Sequence, residues 1–156
     1  MMRAKLSRAP VLAALLSAVA LLAGVPLRAH ATDLKFEAHL VWGTDDATPP
    51  PGKDYKPASP DIKKALSGLP FKWANWFEVN RKVVTLPPGG TTSVPLSDKC
   101  ELHVKDAGKA GLEVSLFGKG KEVVKRTQPL PKGEHLVLGG NAPNSTAWLV
   151  VVKRTE

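Results

Sequence analysis

From Pro87 onward the chain is cut into short pieces by turn-forming clusters at nearly even intervals, and this punctuation restricts the fold more than any other feature. Pro87-Pro88-Gly89-Gly90, Ser97-Asp98-Lys99, residues 106–111, Gly118-Lys119-Gly120 and Pro131-Lys132-Gly133 pre-set a turn or tolerate positive φ. Between them stand the apolar, β-favouring pieces 82–86, 91–96, 100–105, 112–117, 121–130 and 134–138, with 147–152 closing the series. Gly139-Gly140 falls between the last two pieces and reads as a turn. No alternating helices supply the crossovers that a parallel sheet needs. The spacing therefore predicts an all-β fold, an antiparallel β-sandwich of about seven to eight strands with one short helix.

The helix is expected just upstream. Ser59 can cap it, Pro60 sits where its missing N–H is harmless, and Asp61 meets the positive end of the dipole. Ile62, Ala65, Leu66 and Leu69 form one apolar face, and Gly68 ends the helix. Two turns do not stand alone in water, so this helix must lie on the sheet.

The stretch 71–79, Phe-Lys-Trp-Ala-Asn-Trp-Phe-Glu-Val, carries two of the four tryptophans and two of the four phenylalanines. Read as a strand, it puts Phe71, Trp73, Asn75, Phe77 and Val79 on one face and Lys72, Ala74, Trp76 and Glu78 on the other. A helical reading would align Leu69, Trp73, Trp76 and Phe77, but Pro70 and the β-favouring composition oppose it. Trp76 is the candidate binding residue, with Trp73 and Lys72 beside it. An exposed ring there can stack on a sugar or anchor a partner protein. Against this, the short helix needs apolar surface of just this kind, so the ring is expected to be covered by it.

Ahead of the helix, residues 32–42 alternate strictly, Leu34, Phe36, Ala38, Leu40 and Trp42 against Lys35, Glu37 and His39, and predict a half-buried strand. Residues 43–59 are rich in proline and glycine and read as a solvated connector. Asp45-Asp46 and Asp54 lack the regular alternation of a calcium loop. The domain organisation expected is a leader over 1–31, a strand and connector over 32–58, and the sandwich core over 59–156.

The leader has the three parts of a signal peptide. Arg3, Lys5 and Arg8 precede an apolar run over 9–25, Pro26 breaks it, and Ala29-His30-Ala31 provides a cleavage site before Thr32. Export to the periplasm or beyond is expected, with membrane contact only through the leader while it remains uncleaved. The leader holds four of the 22 Lys and Arg and none of the 14 Asp and Glu, leaving 18 against 14, a net charge of +4. No basic run exceeds a pair, as at Lys63-Lys64, so nucleic acid is not an expected partner. Cys100 is the lone cysteine and cannot form an internal disulfide. It reads as a small buried hydrophobe, with a free thiol open to a partner as the alternative.

Nothing in the sequence carries catalysis. His39, His103 and His135 are scattered singly, without the local spacing of metal ligands, and no nucleophile elbow, P-loop or paired-cysteine motif occurs. No catalytic residue, metal or cofactor is expected. Asn144-Ser145-Thr146 matches a glycosylation sequon, which matters only on a eukaryotic secretory route.

Taken together, the capped helix, the F-x-W-x-x-W-F stretch, the P-G turn, the short strands, Leu-Val-Leu-Gly-Gly-Asn-Ala-Pro and the closing hydrophobic strand ending in Lys-Arg form a pattern. From Ser59 on, about two-thirds of the chain, it resembles a group of small exported bacterial proteins of unknown function. Those carry a late L-x-L-G-G-P loop. Here the proline comes later, as Pro143, and tryptophans stand where that group tends to have tyrosines. The resemblance implies a β-sandwich and no activity. The function expected is a non-catalytic binding or assembly module contacting another envelope or extracellular protein. A carbohydrate-binding module using an exposed tryptophan is the alternative.

Overall fold

The computed structural model describes residues 31–142 and 146–156, with Gly140 and Asn141 described by their backbone. Residues 1–30 of the leader, Pro143, and Asn144 and Ser145 of the sequon lie outside the described residues. Among those described, nine strands and one α-helix follow in order. They are β1 (Leu34–Thr44), β2 (Lys56–Pro57), α1 (Pro60–Ser67), β3 (Asn75–Leu86), β4 (Thr91–Ser97) and β5 (Cys100–Asp106), then β6 (Leu112–Gly118), β7 (Lys121–Gln128), β8 (His135–Asn141) and β9 (Ala147–Arg154). A single 3₁₀ turn, Gly108–Ala110, links β5 to β6.

The strands form a five-stranded sheet in the order β2-β3-β1-β9-β8 and a four-stranded sheet in the order β4-β5-β6-β7. Every pairing is antiparallel. The all-β sandwich with one helix is therefore the fold. No helix among the described residues is long and apolar enough to cross a membrane.

Two apolar clusters, not one, hold these layers together. The larger lies between the sheets and takes Phe36, Ala38 and Leu40 from β1, Val150 and Val152 from β9, and Leu102, Val104, Val114 and Leu116 from the facing sheet. The smaller lies on the outer face of the five-stranded sheet. Val41, Leu149 and Val151 meet Ile62 and Leu66 of α1 together with Trp73 and Trp76. Strands β1 and β9 are thus covered on both faces, which explains why β9 reads as an unbroken apolar run and not as an alternation.

Several expectations from the sequence are corrected. The aromatic strand begins at Asn75, so Phe71, Lys72 and Trp73 form an extended approach to it. This segment is tied to the connector, not to a sheet: the Ala74 N–H donates to Asp45 Oδ1 at 3.1 Å and the Asn75 side-chain Nδ2 to the Asp45 carbonyl at 3.4 Å. Once Trp73 lies outside the ladder, strand alternation no longer governs it, and it joins Trp76 in one cluster instead of facing away from it. Residues expected as two pieces, 71–79 and 82–86, are one strand kept continuous by a bulge that leaves Val79 unopposed between Leu40 and Val41 of β1. Gly139-Gly140 is not a turn but part of β8, opposite Leu149 and Trp148. Leu69, counted with the helix face, is 37% exposed, because α1 has ended before it.

Candidate functional site

The site is built by α1 and the approach to β3. Ser59 starts the helix as expected, its Oγ accepting from the Ile62 N–H at 3.4 Å with Pro60 in the first turn. Asp61 does more than face the dipole. Its carboxylate takes Lys153 Nζ at 2.5 Å and lies 3.3 Å from His135 Nε2, pinning the start of the helix to β9 and β8. The Lys153 hydrogen bond lowers the Asp61 pKa against the opposing pull of burial, with His135 adding to the lowering. Gly68 closes the helix in a right-handed conformation, φ −78°, so its glycine is not needed for a left-handed cap. Pro70 then prevents the helix from continuing.

Phe71, Trp73 and Trp76 meet beneath this end of the helix in a closed triangle. Ring centroids lie 5.9 Å apart for Phe71–Trp73, 5.6 Å for Phe71–Trp76 and 6.0 Å for Trp73–Trp76, the last two edge to face. Trp73 and Trp76 are each 9% exposed, so the Trp76 ring is covered, as the helix's need for apolar surface predicts, and is not an exposed stacking platform. The physical reason is the one-sided helix: Ile62 and Leu66 bury their apolar face against the rings together with Val41, Leu149 and Val151. Lys72, the third residue singled out, stays exposed with its ammonium 5.8 Å from the centre of the Trp73 ring.

Burial of the rings does not close the site. Their edges, with Leu66, Leu69 and Lys63, line a groove of about 450 Å³ between α1 and β3. Its lining is mixed, with Lys63, Ser67 and Asn75 set among the aromatic and leucine side chains.

A second aromatic arrangement was not expected. Pro57, Phe77, Trp42, Trp148 and Gly140 stand in one row across all five strands, on β2, β3, β1, β9 and β8. Trp42 packs on Phe77 at 5.8 Å and meets Tyr55 edge-on at 6.4 Å. Trp42 is buried, whereas Trp148 is 40% exposed, the exposed tryptophan among the described residues. Its place inside an apolar run concealed it. The available signal was the glycine pair, because Gly140 offers no side chain to cover its neighbour.

The histidines do not converge. His39 is buried, with Nδ1 2.7 Å from Glu78 and Nε2 3.2 Å from Glu37, and Arg81 also pairs with Glu37. Burial pushes the Glu37 carboxyl up, but Arg81 and His39 outweigh it and hold the pKa below its ordinary value. His103 pairs with Glu101 at 2.6 Å and lies against Phe117, in the other sheet. His39, His103 and His135 thus each lie beside an acidic side chain. Among the described residues no three His, Cys, Asp or Glu side chains are grouped to hold a metal ion.

Cys100 is half-buried at the margin of the inter-sheet core. Burial pushes its thiol up to about 11, so it is not an activated nucleophile. Comparison with family models, with characterised proteins and with solved structures finds no match to this chain.

Proposed function

We propose that this chain is an exported, non-catalytic binding module that attaches to another protein of the cell envelope through the groove beneath α1. The observation that carries this reading is the groove itself, about 450 Å³ and walled by Phe71, Trp73 and Trp76. That volume accepts a bulky side chain or a short apolar segment, and aromatic pockets of this kind are where interface energy concentrates. The mutual ring contacts hold the walls in place before a partner arrives, which lowers the ordering cost of binding. Export rests on the leader, and a mature N-terminus at Thr32 in the sequenced protein is the expected outcome.

The groove is tested by a photo-crosslinker placed at Leu69 on its rim and, as a control, at Val123, which is 56% exposed on β7. A single envelope protein should crosslink from position 69 and not from 123. Leu69→Asp should abolish the capture of that protein by the wild-type groove with folding unchanged. Equal capture from both positions, or none, rejects this reading.

One observation favours a second reading, a carbohydrate-binding module. The exposed Trp148 ring, extended inward by Trp42 and Phe77, is a surface on which a sugar ring can stack. Retention on immobilised glycans that is lost in Trp148→Ala, and kept in Leu69→Asp, would select it over the groove.

A further inference from the structure

A sandwich of two open sheets has four edges, and three of them here are blunted. The β2 edge is two residues long and contains Pro57. The β4 edge has Pro95 in its middle and a register shift beside it. The β7 edge carries Lys121, Glu122, Lys125 and Arg126, with a register shift against β6. Short length, proline, charge and bulging are the devices by which edges avoid pairing with other chains. The fourth edge, β8, has none of them. Its sequence His-Leu-Val-Leu-Gly-Gly-Asn is seven residues long, without proline, lysine, arginine or acid, and in unbroken register with β9.

The hydrogen-bond phase of β8 is set at both of its ends. The Arg154 N–H donates to the Glu134 carbonyl at 3.2 Å, and the Ala142 N–H donates to the Thr146 carbonyl at 2.9 Å. In an antiparallel ladder alternate residues bond to one neighbour, so Leu136, Leu138 and Gly140 turn their backbone toward β9. The N–H and C=O groups of His135, Val137 and Gly139 then point away from the sheet. None of them has a backbone partner among the described residues outside the β8–β9 ladder.

We propose that β8 is an assembly edge whose occupant is β8 of a second copy of this chain. The two strands run antiparallel about a twofold axis at Leu138, joining two five-stranded sheets into one of ten strands. This register uses all seven residues. It sets Val137 against Gly139 of the second copy, Leu136 against Gly140, and His135 against Asn141. Leu136 and Val137 therefore each meet a glycine, which has no side chain to crowd them, and Leu138 meets its own copy at the axis. The outward pairs, His135 with Asn141 and Val137 with Gly139, each exchange two hydrogen bonds.

Charge also favours a like copy at this edge. The exported chain is net positive, so two copies repel in general, and a β7–β7 pairing would set lysines and an arginine against themselves. Strand β8 contributes no formal charge, so its self-pairing meets no like charges directly opposite. The contact is isologous and closes at two copies, because each β8 has one free side.

The test reads mass in solution and amide exchange on protein recovered from cells expressing the full chain. Light scattering after gel filtration should give a dimer that dissociates on dilution. The Val137 and Gly139 amides should exchange slowly in the dimer and rapidly in the dilute monomer, with the Leu136 and Leu138 amides protected in both. Val137→Pro removes an outward N–H, and Val137→Lys puts two ammonium groups beside the axis. Both should give monomers, and Val137→Lys keeps the test open if the proline variant fails to fold. A wild-type protein that is monomeric at every concentration, with those two amides unprotected, overturns the proposal. So does a dimer that Val137→Lys leaves intact, or protection of the edge that appears only when a different protein is added. None of these results bears on the groove, which lies at the β2–β3 side of the same sheet.

Discussion

The indole of Trp76 lies directly over Gly43, the residue opposite it on β1, so closely that a Cβ on residue 43 would stand 2.4 Å from Cζ3. The glycine is therefore part of the floor of the aromatic cluster. Gly43→Ala forces the ring off its seat against Phe71 and Trp73, and overpacking of this kind costs about 1–3 kcal/mol. Thermal unfolding should show a Tm several degrees below that of the parent. A variant that melts with the parent would mean that the ring can move aside freely.

Truncating the ring itself costs more. Trp76→Ala removes a 9% exposed indole from between α1 and β1, and the cavity left behind should lower stability by about 3–5 kcal/mol. Trp148→Ala, at 40% exposure, should stay within about 1 kcal/mol of the parent. Urea unfolding of the two variants side by side makes the comparison, and equal losses would contradict the layering described above.

Acid should weaken the fold through carboxylates whose pKa values are held low. Asp106 accepts from the Gly89 N–H at 2.8 Å and the Gly108 N–H at 3.0 Å, and these two bonds lower its pKa. Asp61 and Glu37 are also lowered. A depressed carboxylate contributes stability that is fully present above the unfolded value, about 3.9 for Asp, and is lost as pH falls through the folded one. Unfolding midpoints should be flat above about pH 5 and decline below about pH 4. Asp106→Asn should make that acid limb shallower while lowering the neutral plateau.

Cys100 should resist alkylation while the protein is folded. With its thiol raised from 9.0 to about 11, the folded chain holds on the order of 100-fold less thiolate near neutral pH than the unfolded one. Labelling with iodoacetamide should be slow in buffer and fast in denaturant. Reductant should leave the Tm unchanged, since a single cysteine closes no loop. Rapid native labelling would show that the thiol is more open than its packing against the sandwich core indicates.

The strands and the helix were legible because their signals are local. Turn clusters marked β4 to β7 to within a few residues, and Ser59-Pro60-Asp61 marked the start of α1. What escaped was set by distant partners. The composition around Phe71 and Trp73 suits a strand, but the Asp45 carboxylate holds the segment on which they ride away from the ladder. Gly139-Gly140 looked like a turn because glycine usually marks one. Its actual environment, close against the Trp148 carbonyl, depends on a strand that follows it. Trp148 went unnoticed for the same reason: exposure at the end of a buried strand depends on where the facing layer stops. The acidic partners of His39 come from two strands, and only Glu37 is near it in the chain.

Strands β1 and β9 divide their residues between two cores, odd positions to one and even to the other, and this sets which changes in gene length the protein can survive. One codon gained or lost within β1 would exchange Phe36, Ala38 and Leu40 for Glu37, His39 and Val41, placing a carboxylate and an imidazole between the sheets while phenylalanine met α1's polar margin. The same codon in the stretch 45–55, which carries no strand, alters only how far a connector bows outward. Homologous chains should therefore vary in length between the strands while the spacing within β1 and β9 stays fixed, a frame kept by the side chains and not by the backbone.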